Sequence, residues 1–234
     1  MKDLSEEVCA LCGGTGLIVR HNDFGQDIMS FCRCREVEVS KNIWTASGIN
    51  PSNSNLSFSS YKAYNSITMK AKNAAAKYYM EFNNIKNTKA NSIAFLGQVG
   101  SGKTHLSLAL GINLLNKGIA AVYMPYRDVI TKLKQNIMDE EYYNSTLSKY
   151  KHAKVLIIDD LYKGKITESD INIMFEIINY RYLNCLPIII SSECVSEKLL
   201  DFDEGVGSRL LEMCKDRIVE IKGSENNYRL KNIL

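Results

Sequence analysis

The run GQVGSGKTH at 97–105 combines closely spaced glycines with a lysine and a hydroxyl, the residue types that hold a phosphate chain. Glycine lets successive backbone N–H groups turn inward around phosphate oxygens, and a helix starting beside Lys103 aims its positive dipole end at the same point. Gly97, Gly100, Ser101 and Gly102 then form the cradle, with His105 directly behind it. Lys103 reaches the β- and γ-phosphates of a nucleoside triphosphate such as ATP, and Thr104 holds Mg²⁺. A second run, KVLIIDDLYK, ends an apolar stretch on two acids. Asp159 suits the hydration shell of the same Mg²⁺, and Asp160 suits orienting or deprotonating an attacking water.

A third cluster is made of sulfur. Cys9, Cys12, Cys32 and Cys34 fall in the first 34 residues as CALC and CRC. Their number and pairing suit one tetrahedral Zn²⁺ site, although the second pair is closer than the usual two-residue gap. Cys12-Gly13-Gly14 resembles a zinc knuckle, where glycine lets backbone amides turn towards a thiolate. His21 offers an alternative to one thiolate, but its polar loop favours a surface histidine. So short a segment buries little apolar surface, so zinc would supply most of its stability, on the order of 10 kcal/mol. Cys185, Cys194 and Cys214 stand apart and read as small core residues.

Composition sets the limits on these readings. The chain has 234 residues, enough for one ordinary domain and a small appendage, and its 45% hydrophobic content excludes wholesale disorder. Its 29 basic residues are nearly matched by 26 acidic ones, so net charge gives no argument for nucleic acid and local clusters must carry it. The charged start MKDLSEEV has no apolar signal region, and no apolar run is long enough for a membrane span, which leads us to expect a cytoplasmic protein. In a reducing compartment, cysteines point to metal or buried thiols more than to disulfides.

The elements that must position these groups follow from periodicity. Apolar, β-branched runs at 92–96, 119–124, 154–159, 186–191 and 217–222 alternate with helical patterns near 103–116, 126–137, 168–182 and 205–214. This alternation predicts a parallel five-stranded sheet with helices on both faces. Upstream, 67–85 reads as a helix with Ala74, Tyr78, Phe82 and Ile85 on one face, and 35–47 as a short helical piece. The Asn/Ser-rich INPSNSNLSFSS between them reads as a linker. The expected division is a zinc-binding region at 1–47, a linker at 48–66 and an ATPase domain at 67–234.

Taken in order, CxxCxGTG and CxC, the linker, GxxGSGKTHL, the IDDL strand, and late GSRL and NNYRL motifs resemble the bacterial replicative-helicase loaders. These are the DnaC/DnaI group of AAA+ ATPases, close to the IstB transposition helpers. The resemblance covers nearly the whole chain and implies a P-loop α/β fold preceded by a small zinc-binding domain. It also implies a core without the C-terminal helical lid of many AAA+ proteins, since no room for one follows Leu234. Lys103 and Thr104 match Walker A, and Asp159 and Asp160 match Walker B. Arg209, in GSRL, matches an arginine finger that reaches into a neighbouring subunit's ATP site. Arg229, in NNYRL, matches a second arginine near the γ-phosphate.

One departure stands out. The fourth strand of the sheet ends IIISSEC, where relatives usually carry Thr-Ser-Asn as a γ-phosphate sensor. Ser191 or Ser192 can still hydrogen-bond there, with Ser192 the expected contact, but Glu193 replaces the amide. A carboxylate repels phosphate, so either Glu193 points away or hydrolysis is slow. Between strands, 126–152 holds Arg127, Lys132, Lys134, Lys149 and Lys151 among Tyr142, Tyr143 and Tyr150, with DEEYY inserting three acids. Two readings fit it equally: a surface for single-stranded DNA, or a solvated helical face.

The resemblance implies a low-turnover ATPase that self-associates through its ATP site and loads a hexameric replicative helicase onto single-stranded DNA. A transposition helper of the IstB kind and an ATP-binding adaptor with little hydrolysis are the alternatives. A metabolic kinase fits least, since it needs neither the cysteine knuckle nor the GSRL finger.

Overall fold

The computed structural model describes residues 8–230. It begins with an antiparallel hairpin, β1 (Leu17–His21) and β2 (Asp27–Phe31), in which Leu17 faces Phe31 and His21 faces Asp27. Cys32 ends the hairpin and stands at the N-cap of α1 (Arg33–Ala46). Helix α2 (Ser66–Ile85) follows, its start fixed by a capping box in which Asn65 and Thr68 satisfy each other's backbone N–H groups. Its buried stripe is Thr68, Ala71, Ala75, Tyr78 and Phe82. The expected Tyr78 and Phe82 lie in this stripe, and Ala74 and Ile85 pack at its margin, partly buried against the same core.

The main sheet contains β3 (Ile93–Gly97), β4 (Ala121–Pro125), β5 (Val155–Asp159), β6 (Ile188–Ser192) and β7 (Ile218–Ile221). All pairings are parallel, and the order across the sheet is β4-β5-β6-β3-β7. The helices between them are α3 (Lys103–Asn116), α4 (Tyr126–Gln135), α5 (Glu140–His152), α6 (Glu168–Leu183), α7 (Ser196–Phe202) and α8 (Glu204–Cys214). Side chains alternate along each strand. Leu96, Met124, Leu156, Ile158 and Ile190 pack with α4, α5, α6 and α8. Phe95, Tyr123, Ile157, Ile189 and Ile221 pack with α1, α2 and α3 on the other face. This period of two creates the three-layer α/β/α architecture.

The N-terminal helix belongs to that second layer. Trp44 of α1 is fully buried, and its indole N–H donates to the Ala121 carbonyl of β4 at 2.8 Å. Gly111 of α3 makes room for it: a Cβ there would stand 2.6 Å from Trp44 Cζ2 and 2.3 Å from Ile157 Cδ1. The Asn/Ser-rich segment has no regular secondary structure, as expected, but it is folded onto α3 rather than hanging free. Tyr61 is buried, and His105 Nε2 lies 2.9 Å from the Ser57 carbonyl.

Two helices were absent from the periodic reading. DEEYY is the start of α5: Asp139 accepts the Tyr142 N–H at 2.9 Å, and Lys149, Lys151 and His152 lie in the last turn. Acids first and bases last complement the helix dipole, which accounts for the mixed charge. The second, α7, is only seven residues long. Cys194 and Cys214 are buried core residues, and Cys185 is half-buried at a turn. No helix among the described residues is long and apolar enough to cross a membrane.

Candidate nucleotide site and cysteine centre

Because β6 inserts between β3 and β5, the C-terminal ends of three strands converge. They bring the glycine loop, the two aspartates and the SSE turn to one edge. A cavity of about 390 Å³ opens there. Its walls include Gly100, Ser101, Gly102, Lys103, Thr104 and His105 of the loop. Asp160, Lys163 and Glu193 line it from the sheet edge, and Tyr61, Tyr64, Tyr228 and Arg229 close it from the flanking segments.

The loop is built for backbone exposure. Gly97 has φ 100, and a Cβ there would lie 2.4 Å from the Ile221 carbonyl oxygen, an approach only glycine permits. Gly102, also left-handed, is the N-cap of α3, so the helix dipole points into the cavity. Ser101 is tied down twice: its hydroxyl donates to Gln98 O at 2.8 Å, and its carbonyl accepts from Tyr61 OH at 3.0 Å. Lys103 Nζ donates to the carbonyls of Gly97 at 2.8 Å and Gln98 at 2.6 Å. Burial draws its pKa below the usual range, against the pull of Glu193 and Asp160. A buried ammonium resting on its own loop, beside glycine amides and a helix start, fits a polyphosphate.

The two aspartates differ. Asp159 is buried, accepting from Ser191 Oγ and, at 3.2 Å, from Tyr123 OH. Burial raises its pKa; hydrogen bonds from Ser191 and Thr104 oppose the rise. Thr104 and Asp159 are thus brought together, as a shared magnesium ion requires. Asp160 is half-buried in a left-handed conformation, φ 56, with its N–H donating to Ser191 Oγ at 2.9 Å. Its carboxylate pairs with Lys163 at 2.8 Å, and Lys163 also pairs with Glu193 at 3.0 Å.

The other expected contacts divide. Arg229 lines the cavity. Arg209 does not: on α8 it donates to the Gly205 carbonyl at 2.7 Å, and its guanidinium lies over the rings of Phe175 and Tyr182. Ser192 is fully buried and committed elsewhere, donating to Leu161 O at 2.7 Å and accepting from Cys194 N–H at 3.1 Å. Its neighbour Ser191 is the serine that touches the aspartates. The sequence did not mark Tyr61, Tyr123 or Lys163; Lys163 closes the KVLIIDDLYK run, but only the turn it sits in brings it back to Asp160. Along 126–152, Arg127, Lys132 and Lys149 are exposed, whereas Lys134 pairs with Asp170 and Lys151 with Glu176. Tyr150 is buried in the core and presents no ring for stacking.

The four N-terminal cysteines form a second centre. Their sulfurs all lie within 4.8 Å of one another, with Cys9 to Cys32 at 3.8 Å and Cys12 to Cys34 at 3.5 Å. A tetrahedron with sulfurs about 2.3 Å from its centre has edges of about 3.8 Å, so the set fits Zn²⁺. Gly16 N–H donates to Cys12 Sγ at 3.3 Å, as the knuckle reading requires. Desolvation opposes ionisation of Cys12, but the Gly16 amide, Cys34 and the Gly14 amide outweigh it and bring its pKa down to about 6. Cys34 is pushed up to about 12, first by its hydrogen bond to Cys12. One thiolate thus holds back its neighbour, a conflict that a shared cation relieves. His21 stands outside the cluster and pairs with Asp27.

Comparison with known proteins agrees with this arrangement. The chain is 36% identical over 242 residues to the phage-like element PBSX protein XkdC of Bacillus subtilis strain 168, covering 99% of this chain and 89% of that one. The crystal structure of a DnaC helicase loader superposes with a TM-score of 0.56 at 26% identity, over 72% of this chain and 97% of the loader. A crystal structure of DnaI shares the fold with a TM-score of 0.60 at 21% identity, over 74% and 90% of the two chains. The family model described as IstB-like ATP binding protein matches residues 55–234. With the glycine loop, the paired aspartates and the sheet order in place, the chain belongs to the IstB-like ATP-binding protein family.

Proposed function

We propose that this protein is an ATPase of DNA replication that binds a hexameric replicative helicase and places it on single-stranded DNA, with ATP binding and hydrolysis controlling assembly and release. The observation that carries this reading is the separation of the two arginines. Arg229 faces the chain's own cavity, while Arg209 lies on α8 against Phe175 and Tyr182 of α6 and does not line that cavity, so it has no phosphate to serve within the subunit. A finger acting on a second copy makes self-association part of the ATP cycle. The likeness to a helicase loader over nearly all of that loader's length supports the choice of partner.

Within the site, Lys103 and the loop amides bind the β- and γ-phosphates; Thr104 and Asp159 would hold Mg²⁺, which would supply charge neutralisation to the triphosphate. Asp160 orients the attacking water and takes its proton; Arg209 of one copy stabilises charge developing on the γ-phosphate bound by another. Zn²⁺ held by Cys9, Cys12, Cys32 and Cys34 is structural, since four thiolates leave no open position, and the hairpin it organises grips a partner.

The test is native mass spectrometry of the full chain with the hexameric helicase of its own genome, with Mg·ATP and with Arg209→Ala. A discrete complex altered by the arginine change supports the loader reading. No complex rejects it in favour of a transposition helper, which the IstB-like family match also favours, and a co-encoded transposase then becomes the partner to add.

A further inference from the structure

The charges around the nucleotide cavity do not balance on the glycine loop alone. Asp160 and Glu193 both line it, and buried Asp159 stands behind them. Where the resemblance leads one to expect a neutral amide, position 193 carries a carboxylate that an incoming triphosphate meets. Lys163 answers it: its single ammonium lies 2.8 Å from Asp160 Oδ2 and 3.0 Å from Glu193 Oε1.

This placement is fixed by the backbone. Asp160 and Tyr162 both have left-handed φ, 56 and 58, a conformation that aspartate tolerates but that is costly for a bulky tyrosine. The turn is held by Leu161 N–H on Ser191 O at 2.9 Å and Lys163 N–H on Asp160 O at 3.1 Å. The Tyr162 ring is buried against Tyr126 and Phe202. So tightly held a turn returns Lys163 over Asp160 and bridges the ends of β5 and β6.

We propose that Lys163 is a further cation of the triphosphate site beside Lys103 and Arg229, a positioning residue that cancels Glu193 and holds the Asp160 carboxylate, so that a γ-phosphate is admitted despite the extra acid. The proposal rests on the reading of the cavity as an ATP site. ADP carries no γ-phosphate, so losing Lys163 penalises the triphosphate more than the diphosphate, whereas a general loss of structure penalises both.

The experiment is calorimetric titration of the full-length protein with Mg·AMP-PNP and Mg·ADP. The variants are Lys163→Met, Lys163→Arg, Glu193→Gln and the double change Lys163→Met/Glu193→Gln. We expect Lys163→Met to weaken AMP-PNP about tenfold or more and ADP by less than about threefold. Lys163→Arg should recover most of the loss, and adding Glu193→Gln to Lys163→Met should recover a large part of it. Glu193→Gln alone, which leaves the lysine in place, should tighten AMP-PNP; this arm keeps the proposal testable if Lys163→Met fails to fold. Equal effects on both nucleotides, or none on AMP-PNP, overturn the proposal. Failure of the unmodified protein to bind either nucleotide overturns the ATP-site reading itself, and this proposal with it.

Discussion

Adjacent in sequence, Asp159 and Asp160 meet different surroundings, which is what the two roles proposed for them require. Burial raises the pKa of Asp159 while Ser191, Thr104 and Tyr123 hold it by hydrogen bonds; Asp160 sits at the cavity wall beside Lys163. Environments that separate two like groups are how a site assigns two roles to one residue type. Asp160→Asn should therefore lower phosphate release about 100-fold or more while leaving equilibrium AMP-PNP binding within about threefold, as expected for loss of a general base. Equal loss of both would deny Asp160 that role. Ser191→Ala removes the hydroxyl that joins the pair and should cost about 1–3 kcal/mol by leaving buried polar groups unmatched, measured by denaturant unfolding. Lys103, Thr104 and the aspartates were legible because their spacing is local. Ser191 was not separable from Ser192: which serine faces Asp159 depends on strand register, with Ile158 opposite Ile190 thirty-two residues on.

At the scale of elements, the strands were readable because a parallel sheet covered on both faces needs continuous apolar runs, and four such runs stand in the sequence; the fifth strand, β7, alternates as IVEI at the sheet's edge. Helix α7 was hidden because its cap comes from elsewhere. Ser196 N–H, at its first turn, donates to Glu220 Oε1 at 2.9 Å, a residue of β7. Desolvation raises the Glu220 pKa, but Lys222 and the Ser196 hydroxyl and amide outweigh it and bring it down to about 2. Folding thus favours the ionised form: the stabilisation is complete above the unfolded value of about 4.5 and is lost as pH falls towards 2. Glu220→Gln should be less stable than the unmodified protein by about 1 kcal/mol near neutrality, the usual worth of a cap. Thermal unfolding at successive pH values checks this: the difference should shrink across that acid window, and a constant difference would show that the charge is not the cause.

For the molecule as a whole, the question is whether the cysteine centre and the nucleotide-binding core are one structure or two. Helix α1 starts at the first and ends in the second: Cys32 is its N-cap, Cys34 lies in its first turn, and Trp44, three turns on, is sealed between β4 and α3. The sequence placed residues 1–47 together because the cysteines dominate that stretch. What a local reading could not supply is the pocket for Trp44, made by Gly111, Tyr123 and the Ala121 carbonyl, all far along the chain. Trp44→Ala should accordingly destabilise the core by about 3–5 kcal/mol, as for other buried aromatic truncations. Because it is the chain's single tryptophan, its fluorescence reports on this one junction. With zinc at the four cysteines, as proposed, stripping it with a chelator would remove the cation that reconciles four thiols, so the hairpin should lose its order. The bonds that hold Trp44 all belong to the sheet and α3. Emission should therefore stay at the short wavelength of a buried indole while zinc release runs to completion. A red shift that tracks zinc release would mean that α1 docks only when the cysteines are bound, and the metal would then be part of what holds the nucleotide-binding core together.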